Sequence, residues 1–366
     1  MKKVFLCALI SLCGICFAQS VSQKAASRRT AERCLKLSEN YFLAGDIDSA
    51  LYQAELGLTY DDSVSDLYYM KAVCRNKLGA AVREVLEISE TAREKKNWIG
   101  YNEKGNRILL SDLLSDTGKY EEALNELDRT PFVFSADAEA VRIKTYYREG
   151  SESSLSKARD KVNSARRIYK GDERFLNLFF NFEMSFCLLG GRNYIPPKKV
   201  LQMADVLSQE MKGMKEVSPQ TESISLFFEG FLDSEKQLRG LKAFDAAEKS
   251  DYLFPLTCLK SGYWDEAKAF DEFFHFAEKS CTLDVLDYFY SLLESSEILD
   301  LFYRTMNAWN GLLYIDLDRD LQWEFDVQYE RGRPTSVSYD RNHDGIIDLS
   351  CSLDFGELLS AKITPL

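Results

Sequence analysis

Gly118-Lys119-Tyr120-Glu121-Glu122-Ala123 decides the fold, because the chain repeats it. Ala44-Gly45-Asp46-Ile47-Asp48-Ser49-Ala50 precedes it and Gly262-Tyr263-Trp264-Asp265-Glu266-Ala267 follows it. In each copy a glycine ends one run of helically spaced apolar residues, such as Leu37 and Tyr41 before Gly45. A glycine is the residue a helix end favours. The alanine five residues later is small enough for a second helix to approach the first closely. Gly79 stands 34 residues after Gly45, with Ala72 seven before it, and Gly150 precedes Ala158 and Ala165, which share one helix face. Residues 25 to 310 are therefore expected to form roughly eight antiparallel helix pairs, without strands.

These phrases resemble the tetratricopeptide repeat family, best over residues 31–64, 104–137 and 248–281. Cys34 and Arg107 stand where that family usually has Trp, and the Pro that commonly ends a unit is absent from the first two. The resemblance implies a mainly α fold, an α-solenoid of helical hairpins whose first helices line a concave surface for a protein or peptide. Aligned on Gly45, Gly79 and Gly118, that surface would carry Glu39, Phe42, Tyr69, Asn76, Lys77, Asp112 and Ser115. Their mixture suits a partner with basic and apolar side chains, although ordinary solvated positions would look the same.

Between residues 172 and 310 the helical pattern turns aromatic. Phe175, Phe179, Phe180, Phe182 and Phe186, then Phe270, Phe273, Phe274 and Phe276, then Tyr288, Phe289, Tyr290, Phe302 and Tyr303 read as core stripes,. An aromatic groove for a ligand is the alternative. Pro196-Pro197 is expected in the first turn of a helix.

At Gly311 the period changes to two. Trp323, Phe325, Val327 and Tyr329 alternate with polar residues, Arg331 to Pro334 make a turn, and Thr335–Tyr339, Ile346–Leu353 and Leu358–Thr364 read as further strands,. A small antiparallel β meander over 311–366 is expected to follow the helices over 19–310 and to pack on the last of them, with Trp309 or Trp323 near the junction.

Within the meander lies an echo. Asp316-Leu317-Asp318-Arg319-Asp320 recurs 24 residues later as Asp340-Arg341-Asn342-His343-Asp344, with Glu324 falling on Asp348 and Gly332 on Gly356. Oxygens at alternate positions of a tight loop converge on one point, and a hard cation takes six to eight of them. The second copy has Gly345 for the bend but Cys351 where a helix–loop–helix calcium site would carry Glu. Asp340 to Leu349 looks like the calcium loops of FG-GAP blades and somewhat like thrombospondin type 3 repeats. That resemblance implies ligands from Asp340, Asn342, Asp344 and Asp348 and the carbonyl of Ile346. The first copy keeps Asp316, Asp318, Asp320 and Glu324, but Leu321 replaces the glycine, which makes the bend harder,. Acidic β-turns without metal are the plain alternative. Calcium, if bound, is expected to brace the meander and not to catalyse.

Lys2-Lys3, the apolar run Val4–Ile15 and Cys16-Phe17-Ala18 predict a signal peptide over residues 1–18,. Acylation at Cys13 or Cys16 is the rival reading. No later run is long enough to span a membrane. The net charge of −12 disfavours nucleic-acid binding,. Cys34, Cys74, Cys187, Cys258, Cys281 and Cys351 show no metal-type spacing, and the first five are expected as small buried residues in helices, with pairing of some in an oxidising compartment as the alternative,. His275 and His343 are the only histidines, the first on a helix and the second at a variable loop position. With no phosphate loop or zinc-protease motif, the leading expectation is a non-enzymatic, exported scaffold that binds a protein or peptide in the cell envelope. The alternative is a calcium-dependent hydrolase of cell-wall or surface glycan.

Overall fold

The computed structural model describes residues 2–100, 102–354 and 356–364, with side chains from residue 23 onward. Among these residues sixteen helices follow one another. The first eight are α1 (Lys2–Leu43), α2 (Ile47–Tyr60), α3 (Ser65–Lys77), α4 (Val82–Lys95), α5 (Glu103–Asp116), α6 (Tyr120–Asp128), α7 (Ala136–Glu149) and α8 (Glu152–Ile168). The others are α9 (Arg174–Gly190), α10 (Lys198–Met211), α11 (Pro219–Glu229), α12 (Ser234–Ala246), α13 (Phe254–Ser261), α14 (Glu266–Phe276), α15 (Leu283–Leu292) and α16 (Ser296–Ala308). Taken in pairs they form the tetratricopeptide-like hairpins that the glycine series predicts. The side chains of the signal-peptide stretch, residues 1–18, lie outside the described residues. No helix among the described residues is long and apolar enough to cross a membrane.

The hairpin turns repeat one hydrogen-bond pattern. The N–H after each glycine donates to the carbonyl five residues back: Asp46 to Tyr41 (3.0 Å), Ala80 to Arg75 (3.0 Å) and Lys119 to Leu114 (2.8 Å). That bond closes a helix whose next residue is left-handed, and Gly118 has φ +74°. A Cβ on Gly118 would meet open space, so Gly118→Ala isolates backbone strain. Its unfolding free energy in a denaturant titration is expected to fall by about 1–2 kcal/mol, with the hairpin retained.

Behind the turn, Ser38 Oγ donates to the Ala50 carbonyl (2.8 Å) and Ser111 Oγ to the Ala123 carbonyl (2.7 Å). Both alanines are fully buried, so a small side chain and a crossing hydrogen bond set the same helix spacing twice. The third copy departs. α14 begins four residues after Gly262, whereas α6 begins two after Gly118. The shift of two residues turns Ala267 to solvent and buries Ala269 in its place. Arg107, at the position of the family's Trp, is also buried. Its guanidinium donates to the carbonyls of Glu126, Arg129 and Pro131 at 2.6–2.9 Å, satisfying acceptors at and beyond the end of α6,.

The chain divides into two compact units, Met1–Val133 and Phe134–Leu366. The division thus falls inside the helical array, whereas the change of period points to residue 310. In the first unit, small apolar clusters sit between adjacent hairpins. In the second, α9 touches α11 and α15, α11 touches α13, and α13 touches α15. The odd-numbered helices close around one aromatic core that includes their Phe179, Phe180, Phe227, Phe228 and Phe289, joined by Phe273 of α14. Leu313 and Val327 of the sheet join the same core; so small a sheet cannot bury its apolar face alone. Trp309 is buried at the end of α16 and donates from Nε1 to the Ala277 carbonyl (2.8 Å).

The sheet has six strands in sequential order: β1 (Ser280–Thr282), β2 (Gly311–Ile315), β3 (Phe325–Glu330), β4 (Arg333–Tyr339), β5 (Leu349–Asp354) and β6 (Glu357–Ile363). β2 to β6 form an antiparallel meander, and β1 adds to β2 in parallel. Two strands differ from the sequence reading. Gly311–Ile315 pairs ahead of the run that begins at Trp323. Ser280–Thr282 is extended where only helix was expected, because it supplies β2 with a neighbour on its open edge,. Cys281 accordingly lies on β1, while Cys34, Cys74, Cys187 and Cys258 are buried in helices. Burial pushes the Cys74 thiol up to about 11 and those of Cys187 and Cys281 to about 12. Pro197 precedes α10 as its N-cap instead of lying within its first turn.

Candidate functional site

The two acidic runs occupy equivalent loops, β2–β3 and β4–β5, at one end of the sheet. The echo extends to their hydrogen bonds. Leu317 N–H donates to Glu324 (2.7 Å) as Arg341 N–H donates to Asp348 (2.9 Å). Leu321 N–H donates to Asp316 (3.0 Å) as Gly345 N–H donates to Asp340 (2.9 Å). Gln322 N–H donates to Asp320 (2.8 Å) as Ile346 N–H donates to Asp344 (2.9 Å). Backbone angles repeat as well: φ is positive at Arg319 and Leu321, and at His343 and Gly345. Leu321 therefore makes the glycine's bend, at φ +67°, where a Cβ costs roughly 1–2 kcal/mol.

In the second loop, Asp340 Oδ1 and Asn342 Oδ1 are buried with no hydrogen-bond partner. An unsatisfied buried oxygen carries its full desolvation cost, and two from alternate loop positions are what a hard cation would satisfy. Burial and the Asp344 charge raise the Asp340 carboxyl. In the first loop, burial and the charges of Asp320 and Glu324 raise Asp316 to about 7, against two backbone N–H donors that lower it. Asp316, Asp318 and Glu324 bring one oxygen each to within 4.8 Å of one another. Ionised carboxylates crowded in this way favour a bound cation or proton.

Three participants were not legible from the loops alone. His343 is not a free loop position: its side chain is 10 % exposed, with Nε2 3.6 Å from Glu324 Oε1 in the other loop. Arg148, on α7, donates from Nε to the Asp320 carbonyl (3.1 Å) and lies 3.7 Å from its carboxylate. Asp326 on β3 has a raised carboxyl, through burial and the charge of Asp340. No local pattern could have found Arg148. The acidic echo hinted at His343 only by placing it opposite Arg319.

On the expected partner face, α1, α3 and α5 are successive neighbours. Asn76 and Lys77 are exposed at the end of α3. Glu39, Phe42, Tyr69 and Asp112 are half-buried, and Glu39 accepts from Asn102 Nδ2 (3.0 Å). Phe42 and Tyr69 pack against an apolar cluster of the first unit. Ser115 is a correction: it is fully buried, because α5 packs that face inward, and it offers nothing to a surface partner.

Most of the aromatic stretch is core, as its spacing predicts. Clefts remain in the second unit, among them a 450 Å³ cavity with aromatic walls, lined by Tyr252, Phe276, Cys281, Tyr314 and Trp323 among others.

No protein family and no curated protein matches the chain. Among solved structures it is similar to a thermophilic TPR protein of Thermus thermophilus, at 16% identity over 64% of this chain and 100% of that one, with a TM-score of 0.25. It is also similar to the P58(IPK) TPR domain, at 12% identity over 74% and 99% of the two chains, with a TM-score of 0.23. Likeness at that level decides nothing by itself; the class, a tetratricopeptide-like helical array carrying an antiparallel sheet, is read from the chain's own hairpins and strands.

Proposed function

We propose that the protein is an exported, non-enzymatic scaffold that holds a protein or peptide in the cell envelope, with its sheet braced by calcium in the second acidic loop. The supporting observation is the contrast between the two units. The odd-numbered helices of the second close on their own aromatic core, whereas α1, α3 and α5 of the first keep polar side chains at the surface. Asn76 and Lys77, exposed together, are the contacts on which the proposal rests. Calcium is supported by the orphaned oxygens of Asp340 and Asn342, with Asp344, Asp348 and the Ile346 carbonyl as the further donors.

The test is capture from envelope extract by the purified protein and by Asn76→Ala/Lys77→Glu. A discrete partner held by the parent is expected to bind the variant about tenfold more weakly, about 1.4 kcal/mol. Equal capture by both would remove this surface from the proposal. Export is tested on natively produced protein. An intact mass beginning at Gln19 in an envelope fraction supports it, an acylated cysteine substitutes the lipoprotein form, and a cytoplasmic chain beginning at Met1 overturns it.

The hydrolase reading gains converging carboxylates at Asp316, Asp318 and Glu324. It is weaker because both Asp316 oxygens already accept backbone N–H groups of their own loop, Arg319 (2.6 Å) and Leu321 (3.0 Å). A general acid must aim its proton at substrate, and here that would unmake the turn.

A further inference from the structure

We propose that the first acidic loop does not match the second in metal choice: Asp318, Asp320 and Glu324 together with His343 form one mixed nitrogen–oxygen site for a borderline transition cation, zinc above all. This goes beyond the proposed calcium brace, which concerns the other loop.

Two independent observations carry it. The first is convergence. One ligand atom each from Asp318, Asp320 and His343 lies within 4.8 Å of the others, and Asp318 also belongs to the cluster with Asp316 and Glu324. The second is the imidazole. His343 is nine-tenths buried, and its Nε2 has no hydrogen-bond partner. It faces Glu324 Oε1 at 3.6 Å, beyond hydrogen-bond reach,. Two ligands each about 2.1 Å from a tetrahedral ion stand about 3.4 Å apart, so this gap matches a shared cation.

The donors also explain which cation. Calcium takes oxygen ligands, whereas imidazole suits zinc and its neighbours. The second loop's buried atoms without partners are the Asp340 and Asn342 oxygens and His343 Nε2, and of these the nitrogen faces Glu324 of the first loop. In the first, the added donor is nitrogen. The contacts that would hold these ligands in place are already made. Glu324 Oε2 accepts from Leu317 N–H (2.7 Å), leaving Oε1 toward the histidine. Asp320 accepts from Gln322 through both oxygens, and Arg148 holds its carbonyl. Such outer contacts fix ligand orientation. Asp318 is exposed and gives an ion access from solvent.

The experiment is calorimetry with zinc on the chelator-stripped full chain, in buffer with and without millimolar calcium. One zinc per chain is expected, with an affinity that calcium leaves unchanged. His343→Gln should weaken binding by at least the roughly 10–100-fold that loss of even a supporting partner costs. Asp318→Asn, at an exposed position, should weaken it without altering the fold and serves if His343→Gln misfolds. Asp340→Asn/Asp344→Asn should keep zinc whether or not the second loop binds calcium, so failure of the two proposals can be told apart. Zinc binding that calcium displaces, or that both His343→Gln and Asp318→Asn leave unchanged, would overturn the site, as would no binding at all.

Discussion

Phe289→Ala is expected to lower the unfolding free energy of the second unit by about 3–5 kcal/mol, the range for removing a buried phenylalanine. Phe289 is fully buried on α15 and stacks on Phe273 of α14, with ring centroids 4.0 Å apart and planes within 3°. The cost should lie at the upper end of what cores show, because the gap cannot close easily. The surrounding aromatic side chains come from several helices that also hold one another, α15 against α9 and α13 among them. A helix cannot move inward at one contact without leaving another. Ile195→Ala, at a position of the same unit that is 72 % exposed, should change stability by less than about 0.5 kcal/mol and serves as the control. Denaturant titration of both variants decides it. A loss below about 1 kcal/mol for Phe289→Ala would mean that the helices do not close on a common core. An open inner face in the second unit would then compete with the first for a partner.

What was legible in the sequence follows from what is local. Gly45, Gly79 and Gly118 mark hairpin turns because the turn's hydrogen bonds span five residues, and every residue involved lies within four of its glycine. The acidic echo was legible for the same reason: each loop is held by N–H groups inside its own nine residues. What was missed is non-local. Ser280–Thr282 becomes a strand only because Leu312 to Tyr314 runs beside it. Arg148 meets Asp320 across 172 residues. His343 acquires its environment from Glu324, in a different loop. Ala267 was misplaced because the alignment carried the glycine but not the length of the turn after it. Most of the aromatic residues lie in the core, with Tyr303 an exception at the surface, yet their spacing is the same in an open array and in a closed one. Closure depends on α15 meeting α9, which no period reveals.

Calcium is expected to raise the melting temperature of the protein, and Asp340→Asn with Asp344→Asn to abolish that rise. An ion held only by the folded loop stabilises by RT ln(1 + [L]/Kd), about 2.7 kcal/mol when calcium is a hundredfold above Kd. For a unit of this size that is roughly 5–10 °C. Asparagine is the informative substitution. Asp340 accepts the Gly345 N–H and Asp344 the Ile346 N–H, both at 2.9 Å, and an amide oxygen can keep both bonds while the charge goes. The raised carboxyl of Asp340 reflects burial and repulsion from Asp344. In chelator, the double variant should therefore melt no lower than the parent, since it sheds that repulsion and keeps the turn. In millimolar calcium the order reverses, because the parent gains the ion and the variant has lost two of its charges. Crossing of the two proteins between buffers is the signature. A parent that melts at the same temperature in calcium and in chelator would leave Asp340 Oδ1 and Asn342 Oδ1 as buried oxygens tolerated in an acidic turn, and the sheet would owe its stability to Leu313, Val327 and the helical core alone.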